Sequence, residues 1–149
     1  MKILVECFTD TLFITLLGHK CVADHSSIGN VARRMKTKFI GELVLGIVDN
    51  DVNKPLYFDE FQEIKSSHTV SFLKHKTNKQ RYLIFLKQDI EDFIAHSAKE
   101  AKVKNIVIAK TSKVSDNRKI VAFLNDIIGE NPSSVSFLNA CINEAAKAK

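Results

Sequence analysis

Asp49 and Asp51 close the apolar run Glu42-Leu43-Val44-Leu45-Gly46-Ile47-Val48 and stand one residue apart. A run without alternation, broken only by Gly46, fits a strand covered on both faces, which implies a parallel sheet flanked by helices. Both acids leave that strand at its carboxyl end, the edge where open α/β sheets bind ligands. Residues two apart in extended backbone point the same way, so the pair is expected to face one point in space. Clustered carboxylates with no histidine or cysteine at ligand spacing suit a hard cation. Mg²⁺, or Mn²⁺ in its place, takes a few carboxylate oxygens and keeps waters and substrate phosphates for its other positions. Such an ion neutralises phosphate and makes hydroxide from bound water, which is the chemistry of phosphoryl transfer.

The elements that must position these acids precede them. Residues 2–6 read as a short buried strand ending in Glu6. Thr9 can cap a helix whose Leu12, Phe13, Leu16 and Leu17 share one face and which stops at Gly18. Residues 19–24 form a weaker strand around Cys21, Val22 and Ala23, and a polar turn then leads into a helix over 28–36. That helix turns Val31 and Met35 inward and the basic residues Arg33, Arg34, Lys36 and Lys38 outward. The result is β-α-β-α-β, and two right-handed crossovers lay its strands parallel with their carboxyl ends on one edge. Glu6 is thereby carried to Asp49 and Asp51, as a further metal ligand or as a general acid/base for the attacking or leaving oxygen.

Ile-Leu-Val-Glu ending the first strand at Glu6, Asp10 at the start of the first helix, and Val-Asp-Asn-Asp at 48–51 resemble the TOPRIM domain of topoisomerases, primases and OLD-type nucleases. The turn at 27–31 also sits where small stand-alone bacterial TOPRIM-like proteins have a Gly-x-Gly-Asn-Val type of turn. Residue by residue, Glu6 matches the family's glutamate, and Asp49 and Asp51 match its metal-binding pair. The resemblance covers the first 51 residues. It implies a Rossmann-like fold and Mg²⁺-dependent cleavage or transfer of phosphodiesters in nucleic acid, a nuclease reading. Residues 86–94 further resemble the Ile-Glu helix start of OLD-type members, which adds Glu91 to the metal candidates. Asp89, Glu91 and Asp92 have a plainer explanation too, since a helix N-terminus attracts acids. Cys7 departs from the family, which has glycine after the glutamate, and the chain has no room for the accessory domains of larger members.

The remaining sequence reads as one domain: the core over 1–51, a hairpin and helix over 52–110, and C-terminal helices over 111–149. Residues 57–64 are acidic with aromatic punctuation and fit either a short helix or a loop. Residues 68–74 and 81–86 fit a hairpin, 88–102 is the clearest helix, 105–109 an edge strand or connection, and 117–128 and 133–146 two more helices around Gly129 and Pro132.

A net charge of +5 is only a mild bias towards nucleic acid, but it is unevenly spread. Arg33, Arg34, Lys36 and Lys38 form one cluster and Lys74, Lys76, Lys79, Arg81 and Lys87 another, of which Arg33, Lys36, Lys38, Lys76, Lys79 and Arg81 are the candidate phosphate contacts. Cys7, Cys21 and Cys141 make no CxxC pair, which argues against a disulfide framework or a structural zinc site. The histidines are scattered and none is assigned a role. No run approaches the roughly 18 apolar residues of a membrane span, and no signal peptide is evident, so a cytoplasmic protein without membrane contact is expected. The alternative to an enzyme is a non-catalytic TOPRIM-like module that binds nucleic acid, a partner protein or a second copy. A Rossmann-like nucleotide binder fits less well, because no phosphate-cradling glycine loop is present.

Overall fold

The apolar run that ends at Asp49 forms the strand β2, Val44–Asp49, and nearly every residue of it is buried. The computed structural model describes residues 1–22, 27–108 and 118–148. Before β2 come β1 (Lys2–Val5), α1 (Phe8–Leu16) and α2 (Ile28–Thr37); after it come a 3₁₀ turn (Leu56–Glu60), β3 (Phe61–Ser66), β4 (Val70–His75) and β5 (Arg81–Leu86). Helices α3 (Ile90–Ala101), α4 (Arg118–Glu130) and α5 (Ser133–Ala146) complete the described chain. The strands form a five-stranded sheet in the order β1-β2-β5-β4-β3. Pairing is parallel from β1 through β2 to β5 and antiparallel from β5 through β4 to β3, so the sheet is mixed.

Alternation along the strands divides the core. Ile3, Val5, Leu45, Ile47, Tyr82 and Ile84 face the layer built by α1, α3, α4 and α5, where Phe13 and Phe93 meet edge to face at 5.9 Å. Leu4, Val44, Val48, Leu83 and Phe85 face Val31, Ala32 and Met35 of α2 and Phe58 of the 3₁₀ turn. Gly46 lets α2 approach, because a Cβ there would lie 2.5 Å from the Met35 sulfur. The break in the apolar run thus makes room for the Met35 side chain.

Several expected elements differ. Of the weak strand at 19–24, the described part makes one parallel bridge, Cys21 to Ile3, with Val22 N–H donating to Ile3 O at 2.8 Å; Ala23 and Asp24 lie outside the described residues. The cap of α1 is Cys7, and Thr9 is buried in the first turn. The acidic segment at 57–64 splits into the 3₁₀ turn and β3, which extends the hairpin into a meander. Residues 105–108 are irregular, and Ala109 lies outside the described residues. Gly129 stays within α4, and the chain turns at Asn131, whose φ is 46°.

Candidate functional site

The parallel strands β1, β2 and β5 end together, so the residues just beyond Val5, Asp49 and Leu86 share one edge. Glu6 reaches across it, and its Oε2 accepts the Asp49 backbone N–H at 2.7 Å. Asp49 continues the alternation of Leu45 and Ile47 towards the layer of α1 and α3. The first turns of those two helices supply its neighbours, Asp10 from α1 and Asp89 with Glu91 from α3.

Asp10 is the most deeply placed of these carboxylates, 2% exposed. Its Oδ2 accepts the Cys7 backbone N–H at 3.1 Å and the Cys7 thiol at 3.0 Å, while its own N–H donates to Cys7 Sγ at 3.5 Å. Cys7 therefore acts as a capping residue, with a φ of −141° that any residue adopts, so the backbone makes no demand for glycine here. Burial, with Asp10 alongside, pushes the thiol far above its ordinary range and leaves it un-ionised.

The electrostatics show an uncompensated cluster. Burial raises Asp49 to about 8, and Asp10, Glu6, Glu91 and Asp89 add to the rise. Burial also raises Asp10 to about 7, with Glu6 and Glu91 contributing and the Cys7 hydrogen bonds opposing. Glu6 is raised mainly by burial, against the Asp49 hydrogen bond, with Asp51 adding like charge. Asp49 Oδ1 is buried with no hydrogen-bond partner. An orphaned carboxylate oxygen among like charges is costly unless a proton or a cation occupies the place beside it.

Asp51 departs from expectation. The backbone turns directly after the strand, where Asp51 N–H donates to Asp49 O at 3.0 Å, so the two acids do not lie on one extended segment. Its side chain is exposed and accepts the Asn53 N–H at 3.1 Å. It reaches the cluster only as a neighbouring charge on Glu6. Glu91 adds like charge at Asp10 and Asp49, and Asp89, which does so at Asp49, also caps α3 by accepting the Asp92 N–H at 2.9 Å. Sequence reasoning assigned Asp10 no role at the site, although the spacing of a helix N3 acid was visible in it. Among the described residues, no three histidine, cysteine or acidic side chains stand as positioned around one metal-sized point. Glu6, Asp10 and Asp49 supply hard oxygen donors and an orphaned oxygen, which fits Mg²⁺ or Mn²⁺ once the carboxylates turn towards it.

The basic residues lie elsewhere. Lys36 and Lys38 end or follow α2, and Lys76 and Lys79 lie in the β4–β5 connection, beside the starts of β2 and β5. That amino edge is a strand length away, roughly 17 Å for six residues. Arg81 is not available to phosphate at all. It is 3% exposed, and its guanidinium donates to the carbonyls of Met35, Glu42, Gln80, Lys38 and Phe39 at 2.6–3.2 Å. Those bonds satisfy carbonyls left over at the end of α2 and fix the loop to β2. Arg34 is likewise buried, not part of an outward basic face. Arg33 is exposed and bonded to Asn30 Oδ1 at 3.4 Å, and Lys76 Nζ donates to Asp59 O at 3.1 Å. Two other lysines follow strands that end at the carboxyl edge, Lys87 of the second basic cluster and Lys54, both on the Phe85 face of the sheet, opposite the face of Asp49. Lys87 follows β5 and bonds Ser67 O at 2.6 Å, and Lys54 lies 4.7 Å from the Phe85 ring; both line a cavity of about 400 Å³ that also includes Asn50.

No helix among the described residues is long and apolar enough to cross a membrane. No protein-family model matches the chain, and no significant match was found among curated proteins or solved structures.

Proposed function

We propose that the carboxyl edge is a TOPRIM-like site for Mg²⁺ or Mn²⁺ that serves phosphoryl transfer or phosphodiester cleavage on nucleic acid. The observation that carries this reading is the buried, unpartnered Oδ1 of Asp49, a carboxyl that feels the like charges of Asp10, Glu6 and Glu91. Glu6, Asp10 and Asp49 would hold the cation, with Glu91 and the exposed Asp51 as the next oxygen donors. When bound, it supplies charge neutralisation at a phosphate and a more acidic water. The chain supplies the rest. The Asp49 N–H fixes the Glu6 carboxyl in place, so where Glu6 does not ligate the cation it can take or return a proton at the attacking or leaving oxygen. Lys54 and Lys87 follow strands that end at the same edge, on the opposite face of the sheet from Asp49. A plasmid and a single-stranded oligonucleotide, each incubated with protein and Mg²⁺ or Mn²⁺, test the reading. Cleavage should appear with metal and fall by two orders of magnitude or more in Asp49→Asn, whereas cleavage equal in the wild type and the variant would refute it.

The separation of the acids from Lys36, Lys38, Lys76 and Lys79 favours a second reading, a non-catalytic module that holds nucleic acid on its amino edge. It predicts binding that persists in EDTA, weakens steeply with salt and is lost in Lys76→Glu/Lys79→Glu.

A further inference from the structure

Away from the acidic cluster, the turn between β3 and β4, the middle of α3 and the start of α5 enclose a cavity of about 180 Å³. His68, His96 and Glu100 line it, together with Ser134 and Phe137. We propose that His68, His96 and Glu100 form a second metal site, for a borderline divalent ion of which Zn²⁺ fits best.

The spacing carries the proposal. His96 and Glu100 are one helical turn apart on α3, and His96 Nε2 stands 3.7 Å from Glu100 Oε2. Two ligands each about 2.1 Å from one Zn²⁺ at the tetrahedral angle lie about 3.4 Å apart, so this pair needs little adjustment to share an ion. The His68 ring is 5.9 Å from the His96 ring, centroid to centroid. Two imidazoles on one tetrahedral Zn²⁺ place their centroids about 5.3 Å apart, and a small rotation of the exposed His68 side chain closes the difference.

As placed, the three side chains do not converge on one metal-sized point; the site forms when His68 turns inwards, while the surroundings hold Glu100. Glu100 Oε1 accepts the Ser134 backbone N–H at 3.1 Å and the Ser134 hydroxyl, which leaves Oε2 turned to His96. Ser134 Oγ is in turn 2.7 Å from Ser97 Oγ, whose single hydroxyl proton serves either Ser134 or Phe93 O at 2.8 Å, so the carboxylate rests on a buried pair of hydroxyls. Such support fixes a ligand's orientation and raises metal affinity. The turn that bears His68 is also pinned, because Ser67 Oγ accepts the N–H groups of Thr69 and Val70 at 3.3 and 3.2 Å. Two imidazoles and a carboxylate favour Zn²⁺ over Mg²⁺, and three protein ligands leave a fourth position open to the cavity.

Protein stripped of metal is titrated with Zn²⁺ against a chromophoric chelator, then with Co²⁺ to read its visible spectrum. The site predicts about one Zn²⁺ per chain, bound at least tenfold more weakly in both His96→Gln and His68→Gln and undiminished in Asp49→Asn. Co²⁺ should give d–d bands without thiolate charge transfer. Affinity unchanged in the two histidine variants, loss in Asp49→Asn, or a thiolate band would each overturn the assignment. Metal-free melting curves serve to check that each variant folds; His68 lies exposed on a turn, so its replacement keeps the test decisive if His96→Gln does not fold.

Discussion

The two edges of the parallel strands treat their charges in opposite ways. At the amino edge the buried cation, Arg81, has every guanidinium N–H directed at a backbone carbonyl, and nothing is left over for a ligand. At the carboxyl edge the buried Asp10 and the half-buried Asp49 crowd together, and a buried oxygen of Asp49 has no partner. A satisfied buried charge is architecture, whereas an unsatisfied cluster stores free energy that a proton or a cation can release. Burial alone therefore does not separate structural from functional charge; the completeness of the hydrogen bonding does.

The largest expected effect lies at the satisfied edge. Arg81→Ala leaves several buried carbonyls without donors and should cost about 3 kcal/mol or more, seen as a fall in the urea midpoint. If it instead leaves stability intact and only weakens nucleic-acid binding, the structural role of Arg81 is wrong.

A smaller effect, of opposite sign, is expected at the carboxyl edge. Asp10 and Asp49 have folded values of about 7 and about 8, above their ordinary 3.8, so the folded chain holds protons that the unfolded chain has released. Their contribution to stability is complete below the unfolded value and is lost as pH rises through the folded ones. The metal-free melting temperature should therefore fall between pH 5 and pH 8. Asp49→Asn should flatten that slope and raise the melting temperature at pH 8 by about 2–4 °C, on the order of 1 kcal/mol after allowing for solvent near a half-exposed group. A steeper slope in the variant would contradict the like-charge account.

The smallest effect sharpens the contrast. Lys76→Glu/Lys79→Glu changes exposed side chains at the amino edge and should move stability by no more than about 0.5 kcal/mol. A larger loss would mean that these lysines are structural, as Arg81 is.

Much of this was legible in the chain. The uninterrupted apolar run and its terminal Asp49 announced a buried parallel strand, and Ile-Leu-Val-Glu placed Glu6 beside it, because strand hydrophobicity and crossover geometry are properties of local sequence. The amphipathic stripes of α3, α4 and α5 were equally plain. The hidden features depend on pairing in three dimensions. Arg81 reads as one more base at the head of a hairpin strand until β5 is known to run parallel beside β2, which carries it to the end of α2. Asp51 looked like the partner of Asp49 because strand alternation was extended one step past the turn that ends it. Asp10 reads as an ordinary helix-start acid, and only the convergence of two helix N-termini makes it part of a cluster. His68 and His96 come from a turn and a helix far apart in sequence, so no spacing rule joins them.

Mn²⁺ binding followed by electron paramagnetic resonance at pH 6 and pH 8, in the wild type and in Asp49→Asn, tests the central claim most directly. The account predicts binding that tightens as the pH rises and Asp10 and Asp49 release their protons, and that is lost in the variant. Binding that ignores pH, or that survives Asp49→Asn undiminished, would show that the buried acids are not the place where a cation is held.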